Sequence, residues 1–133
     1  GVRIVSHQKI YSVDCDIFCP CAVGGTINNK TYSKLKCKII AGGANNQLEN
    51  YEVGRKLARK GILYLPDFMV NAGGVIQAEG EYAGVTKKEA QNNIRDRVPK
   101  MVAKILALSE KEKKLPFEIA EEIVNKRLEK VRE

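Results

Sequence analysis

The chain has 133 residues, of which 44% are hydrophobic and 29% are charged, and this balance is typical of a single globular domain rather than of a disordered segment. Its apolar runs are too short to cross a membrane and its first residues lack the apolar stretch of a secretory signal, so we expect a cytoplasmic protein. The net charge of +7 is spread over segments that also carry acidic residues, and the chain has no tryptophan, so we expect neither a nucleic-acid partner nor a membrane partner.

Short apolar runs bounded by turn residues predict strands in the first half of the chain. The runs cover residues 16–19, 37–41 and 61–65, and each is too short for a helix and is followed by proline or glycine. Val2 to Val5 is the candidate for a fourth, frayed strand.

Two helices are predicted between these runs. Residues 51–60 have acidic residues at the start, basic residues at the end, and Gly61 next as a left-handed cap. A shorter helix is predicted at residues 30–35, between the first two runs. Strands that alternate with helices through tight links form a parallel sheet with right-handed crossovers, so the predicted fold class is α/β.

The second half of the chain predicts only helices. Thr86 and Glu89 have the spacing of a capping box, and an apolar stripe follows from Ala90 to Ile105. Pro99 lies within this stripe and predicts a kink rather than the end of the helix. A further helix is predicted from Pro116, because proline suits a first helical turn. We interpret both helices as packing elements.

The four cysteines do not have the spacing of a metal site. They are Cys15, Cys19, Cys21 and Cys37, without a C-x-x-C pair, and the only histidine is His7. We interpret them as reduced, mostly buried thiols and expect no metal.

Three glycine-containing turns are the candidates for a binding site. They cover residues 21–25, 42–47 and 71–75, and each follows an apolar run. In a parallel sheet such turns gather at the carboxyl edge of the strands, where ligands bind. Glycine and asparagine are also common in turns for purely conformational reasons. Since no G-x-G-x-x-G or P-loop motif is present, spacing alone does not identify the ligand.

Several segments resemble one family of enzymes. Residues 14–22 resemble its segment D-x-D-I-F-x-P-C-A, and residues 41–48 resemble A-G-x-A-N-N-Q-L. Residues 61–68 and 71–76 are similar to G-I-x-Y-x-P-D-[FY] and N-A-G-G-x-I, and the tail from Leu115 to Arg132 is similar to the last helix of the family. The family comprises the leucine, phenylalanine and valine dehydrogenases, which are relatives of glutamate dehydrogenase.

The resemblance implies an NAD-dependent oxidoreductase that converts an apolar L-amino acid into its 2-oxo acid and ammonia. It implies that residues 1–85 are the second half of a Rossmann-like, NAD-binding domain and that residues 86–133 are a helical segment packed on the same domain. It also implies a set of coenzyme-binding residues. Cys21, Ala22 and Val23 are expected near the ribose, Ala44 and Asn45 at the nicotinamide half, and Asn71 at the mouth of the cleft.

The resemblance further implies that three residues contact the substrate. Val75 and Ala78 match positions that line the pocket for its side chain, and Asn45 contacts the substrate as well as the nicotinamide. Apolar residues at these positions favour an apolar amino acid over glutamate, since they offer nothing to a second carboxylate. Ala78 is smaller than the residue usual in leucine dehydrogenases, which predicts room for a larger side chain. Which amino acid is preferred, and whether NADP replaces NAD, stay open.

The catalytic lysines and the catalytic aspartate of the family lie in an N-terminal domain that has no counterpart here. We therefore expect the chain, which begins at Gly1 rather than at methionine, to be part of a longer protein, and to be inactive and to bind NAD weakly by itself. The open edge of a half-sheet predicts pairing, so we expect a homo-oligomer. Two other functions remain at this stage: a non-catalytic α/β module that binds another nucleotide or metabolite, and a basic helical protein that binds nucleic acid.

Overall fold

The computed structural model describes residues 1–132, with only the backbone of the last of these. The chain forms two compact units, Gly1–Tyr64 and Leu65–Glu133. Within the second unit, the residues that follow Tyr64 pack with the C-terminal helices.

The first unit contains the predicted parallel sheet. Its strands are β1 (Ile17–Phe18), β2 (Ile39–Ile40) and β3 (Leu63–Tyr64), in the order β1-β2-β3. Both pairs are parallel, and the register aligns Ile17 with Ile39 and Ile39 with Leu63. The three predicted apolar runs and the α/β fold class are therefore confirmed.

Helix α1 (Tyr51–Arg59) connects β2 to β3 and has a well-defined cap at each end. The side chain of Asn50 accepts a hydrogen bond from the backbone N–H of Val53, at 3.1 Å, and so satisfies one of the free donors of the first turn. Gly61 follows the helix with φ of +75°, the left-handed conformation that its position predicted. The buried face of α1, which includes Val53 and Leu57, packs against the rest of the first unit.

Two predictions for the first unit are wrong. Residues 30–35 form only a 3₁₀ turn, Tyr32–Lys34, because the Asn28 side chain accepts from the Lys30 N–H at 2.9 Å and Thr31 accepts from the Asn28 N–H at 2.9 Å. These local bonds compete with the backbone bonds of a helix. Val2 to Val5 forms no strand, because no described strand pairs with it; Val2 and Ile4 are exposed and Val5 is half-buried.

The second unit is helical throughout. It consists of α2 (Asp67–Val70), α3 (Gly73–Tyr82), α4 (Lys87–Glu112) and α5 (Pro116–Arg132). Its apolar core is formed by buried residues from three of these helices, and partly buried residues pack around them: Met69, Ile105, Ile119, Ala120, Leu65, Val70, Met101, Val102, Leu108 and Ile123.

Helix α4 begins as its sequence predicts. Thr86 and Glu89 form the capping box, with each side chain accepting from the other residue's backbone N–H. The helix does not end at Pro99.

The prediction that residues 71–75 form a turn directly after a strand is wrong. Pro66 and Asp67 start helix α2 after β3, because proline fixes a backbone angle suited to a helix start and an aspartate there favours the helix dipole. Asn71 is the C-terminal cap of α2, and Gly73 and Gly74 lie in the first turn of α3. Among the helices of residues 1–132, none combines the length and the apolar character needed to cross a membrane.

Candidate functional site

The loops that follow β1 and β2 pack against each other at the carboxyl edge of the sheet. We call residues 19–25 the β1 loop and residues 41–46 the β2 loop. The backbone N–H of Ala44 donates to the carbonyl of Pro20 at 2.9 Å, and the N–H of Gly25 donates to the carbonyl of Asn46 at 2.7 Å. The predicted coenzyme residues of both loops are thereby brought to one edge of the first unit.

Glycine is required in both loops by the close approach of the two backbones. A Cβ atom at Gly42 would lie 2.2 Å from the carbonyl oxygen of Pro20 and 2.5 Å from its backbone nitrogen. A Cβ atom at Gly24 would lie 2.8 Å from the carbonyl oxygen of Asn45. These contacts are shorter than any van der Waals separation, so a side chain at either position would push the loops apart. These two glycines therefore have a structural reason that needs no ligand.

Gln47 holds the β2 loop from inside and was not singled out by the sequence. Its side chain is fully buried, and its Nε2 donates to the carbonyls of Gly42 at 2.7 Å and of Ala44 at 2.9 Å. One buried amide thus fixes both sides of the loop. In the sequence Gln47 looks like any loop glutamine, since its burial results from three-dimensional packing.

The outward face of the two loops consists of exposed side chains. Cys21, Ala22, Val23 and Asn45 are exposed, and Val23 has 67% of its surface accessible. Ala44 is buried, with 5% exposed. This face offers small and apolar side chains and two asparagines, Asn45 and Asn46.

The β1 loop also contains two neighbouring thiols. The Sγ atoms of Cys19 and Cys21 are 3.5 Å apart, and the backbone N–H of Gly43 donates to Cys21 Sγ at 3.5 Å. The bond from Gly43, followed by that from the Cys19 thiol, lowers the pKa of Cys21. Burial, followed by the hydrogen bond to Cys21, raises the pKa of Cys19.

The expectation that the cysteines are mostly buried is wrong. Cys37 is buried and Cys15 is half-buried, but Cys19 and Cys21 are exposed. β1 ends at Phe18, so Cys19 and Cys21 lie beyond the strand, where both side chains are exposed. Within residues 1–132, no group of three or more metal-ligating side chains of histidine, cysteine, aspartate or glutamate comes together.

Two of the three predicted substrate residues, Val75 and Ala78, lie on helix α3 of the second unit, whereas Asn45 lies in the β2 loop of the first. Val75 and Ala78 are both exposed, and Val75 has 73% of its surface accessible. Val75 lines an apolar cavity of about 260 Å³, whereas Ala78 is not among its described lining residues. Glu79 and Arg97, which also line the cavity, form an ion pair at 2.7 Å. The last predicted residue, Asn71, is half-buried at the end of α2.

Sequence comparison relates the whole chain to one group of enzymes. A family model described as Glutamate/Leucine/Phenylalanine/Valine dehydrogenase matches residues 1–133. Leucine dehydrogenase of Thermoactinomyces intermedius is 39% identical over 132 residues, which are 99% of this chain and 36% of that protein. Phenylalanine dehydrogenase of Bacillus thermotolerans is 56% identical over 88 residues, which are 66% of this chain and 23% of that protein.

Structural comparison gives the same result. The crystal structure of L-tryptophan dehydrogenase from Nostoc punctiforme superposes with a TM-score of 0.86 at 37% identity, and the match covers 98% of this chain and 40% of that one. The chain thus spans well under half the length of the relatives it matches. Because the family model matches residues 1–133, which are the whole of this chain, the chain belongs to the glutamate/leucine/phenylalanine/valine dehydrogenase family.

Proposed function

We propose that this chain is the C-terminal part of an NAD-dependent dehydrogenase that deaminates apolar L-amino acids to 2-oxo acids and ammonia. The observation that carries the proposal is the pair of interlocked loops at the carboxyl edge of a parallel sheet, the edge at which ligands of such folds bind. Family membership supplies the reaction class.

The residues of the two loops suit a dinucleotide. The β1 loop would lie along a coenzyme ribose with Cys21, Ala22 and Val23, whose small exposed side chains allow close approach. The β2 loop would contact the nicotinamide half with Ala44 and Asn45, since an amide side chain matches the donor and acceptor of a carboxamide. When bound, NAD supplies the acceptor for the hydride that leaves the α-carbon of the amino acid.

The substrate side chain would lie against helix α3. Val75 and Ala78 present apolar surface there, and neither offers a charge to a second carboxylate, so an apolar amino acid is favoured over glutamate. Asn45 would also contact the substrate, and Asn71 would lie at the mouth of the cleft. Domain limits of 1–85 for the dinucleotide part and 86–133 for the helical part belong to the same proposal.

The 133-residue chain alone is proposed to be inactive and to bind NAD weakly. Hydride transfer requires the substrate to be held and polarised, and the lysines and aspartate that do this in the family have no match in this sequence. Leucine oxidation by the purified chain would contradict this.

Weak coenzyme binding is tested by saturation-transfer NMR on NAD. The chain is expected to transfer saturation to NAD protons, and Val23→Asp is expected to reduce the transfer because it places a negative charge where the anionic dinucleotide would lie. Val131→Asp is the matched control, since Val131 is 84% exposed on α5 of the second unit. Equal transfer by the parent chain and both variants would contradict the coenzyme site.

Substrate preference is tested in a chimera in which this chain replaces the matching part of the Thermoactinomyces intermedius enzyme. Ala78→Val fills space beside the substrate and is expected to shift the ratio of kcat/KM for leucine over phenylalanine upward by about tenfold. The control is Ala103→Val, at an exposed position of α4. An unchanged ratio would remove Ala78 from the pocket.

The edges of the sheet support self-association. Among the described residues no strand pairs with the outer edge of β1, where Ile17 is 56% exposed. An open edge with an apolar side chain is a surface for pairing, so a homo-oligomer is proposed. Light scattering is expected to report more than one copy per particle, and a uniform monomer would contradict this.

A further inference from the structure

The two thiols of the β1 loop are close, accessible and chemically unequal. Cys19 and Cys21 flank Pro20, and their Sγ atoms are 3.5 Å apart. Both residues are exposed, whereas Cys37 is buried and Cys15 is half-buried. An oxidant in solution therefore meets this pair before the other two thiols.

The backbone around the pair is held by contacts with the β2 loop. The carbonyl of Pro20 accepts from Ala44 at 2.9 Å, and the absence of a Cβ at Gly42 lets the β2 loop lie directly against Pro20. A disulfide needs the sulfurs at about 2.05 Å, so the two Sγ atoms, now 3.5 Å apart, have to approach by roughly 1.5 Å.

The surroundings make the two cysteine thiols differ in reactivity. The N–H of Gly43 points at Cys21 Sγ and stabilises a negative charge there, and it lowers the pKa of Cys21. Cys19 has no such net stabilisation, because burial and its bond to Cys21 raise its pKa. Cys21 is thus the better nucleophile, and Cys19 is a protonated thiol within reach of it.

We infer that Cys19 and Cys21 form a dithiol that a hydroperoxide oxidises to an intrachain disulfide. The thiolate sulfur of Cys21 attacks a peroxide oxygen, so that an S–O bond forms, the O–O bond breaks and the departing oxygen takes up a proton. This step oxidises sulfur to a sulfenic acid and reduces the peroxide. The sulfur of Cys19 then attacks that of Cys21, the S–S bond forms, the S–O bond breaks, and hydroxide leaves as water with the proton from Cys19.

The test of this dithiol does not depend on the coenzyme assignment, because the disulfide is detected by mass and by thiol labelling. The reduced 133-residue chain is treated with an equimolar amount of hydrogen peroxide, unfolded, alkylated and mapped. The expected oxidised product has lost the mass of two hydrogen atoms and returns to the starting mass after reduction. In the peptide map, Cys15 and Cys37 are alkylated, whereas Cys19 and Cys21 resist alkylation.

Single variants separate the two steps. Cys19→Ser leaves the attacking thiol without its partner, so a sulfenic acid at Cys21 accumulates and is trapped by dimedone. Cys21→Ser removes the attacking thiol, so peroxide consumption is expected to slow by about tenfold or more. Cys15→Ser is the matched control and forms the disulfide at the parental rate.

Three results would overturn the inference. These are a disulfide that uses Cys15 or Cys37, a disulfide between two chains, and oxidation of Cys21 to sulfinic acid in the parent without loss of two hydrogens. Circular dichroism checks that each variant is folded, and the peptide map of the parent chain decides the matter if a variant is not.

Discussion

The two units of the chain are held in shape by different interactions. In residues 1–64 the loops are fixed by the contact of bare backbone at Gly24 and Gly42 and by the buried amide of Gln47. In residues 65–132 the helices are fixed by apolar side chains such as Ile105 and Ile119, which fill a common core.

The difference predicts which kind of substitution destabilises each unit. The first unit has no space for an added methyl group where its loops cross, whereas the second depends on the volume of side chains already present. Added atoms at Gly24 or Gly42 are therefore expected to damage the loops, and atoms removed from the core around Ile105 and Ile119 are expected to damage the helices.

The largest effect is expected from Ile105→Ala in the second unit. Ile105 is 2% exposed in the apolar core, so truncation leaves a cavity and is expected to lower the free energy of unfolding by about 3–4 kcal/mol. Urea unfolding followed by circular dichroism measures this. Val131→Ala, at an 84% exposed residue, is the control and is expected to change little. Equal effects of the two would contradict the assignment of the core.

Gly42→Ala should cost the first unit about 2–3 kcal/mol, because the new Cβ atom overlaps the backbone of Pro20. Hydrogen exchange gives a local readout, since the Ala44 amide, which bonds to Pro20, should exchange faster. The matched control is Gly74→Ala, where nothing lies within 4 Å of the added atom. A parental exchange rate at Ala44 in the first variant would show that the loops are not interlocked.

Gln47→Leu is expected to lower the free energy of unfolding by about 1–2 kcal/mol, because the carbonyls of Gly42 and Ala44 lose a buried donor. The same change at Gln91, which is exposed on α4, is the comparison. If both substitutions had the same small effect, Gln47 would not be the residue that fixes the β2 loop.

The smallest effect concerns the capping box and depends on pH. Hydrogen bonds from the Thr86 hydroxyl at 2.7 Å and from the Thr86 N–H at 2.8 Å lower the pKa of Glu89. A lowered pKa in the folded state stabilises the fold above the unfolded value, near 4.5, and this stabilisation is lost as the pH falls through the folded value.

The measurement compares the parent chain with Glu89→Gln by urea unfolding at neutral and acidic pH. The parent should be the more stable at pH 7, and the difference should vanish on acidification. Glu110→Gln removes an exposed carboxylate from the same helix outside the capping box and serves as the control. A difference that persisted in acid would contradict the role of the Glu89 carboxylate.

Local sequence patterns were sufficient to predict those elements whose causes are local. Three apolar runs became the three strands, Gly61 took the predicted left-handed conformation, and Thr86 with Glu89 formed the predicted capping box. Each depends on a few adjacent residues, so the sequence contains the whole reason.

The failures have non-local or competing causes. Val2 to Val5 has strand-forming residues but no strand beside it, and the helix expected at residues 30–35 gives way to side-chain bonds from Asn28. In the candidate site, Cys21, Ala22, Val23 and Asn45 were singled out from family likeness, and their role stays a prediction. The burial of Gln47 was not predicted, because it depends on how separate segments pack, and the meeting of two thiols was not predicted, because it depends on the conformation of the β1 loop.

The way in which the two loops are tied together has a consequence for how such enzymes diversify. The bonds that define their conformation come from backbone groups and from one interior amide, while Ala22 and Val23 project outward and take no part in them. Replacing those outward residues costs little stability, so lineages and mutant libraries can explore new ligand contacts one position at a time without crossing the folding threshold.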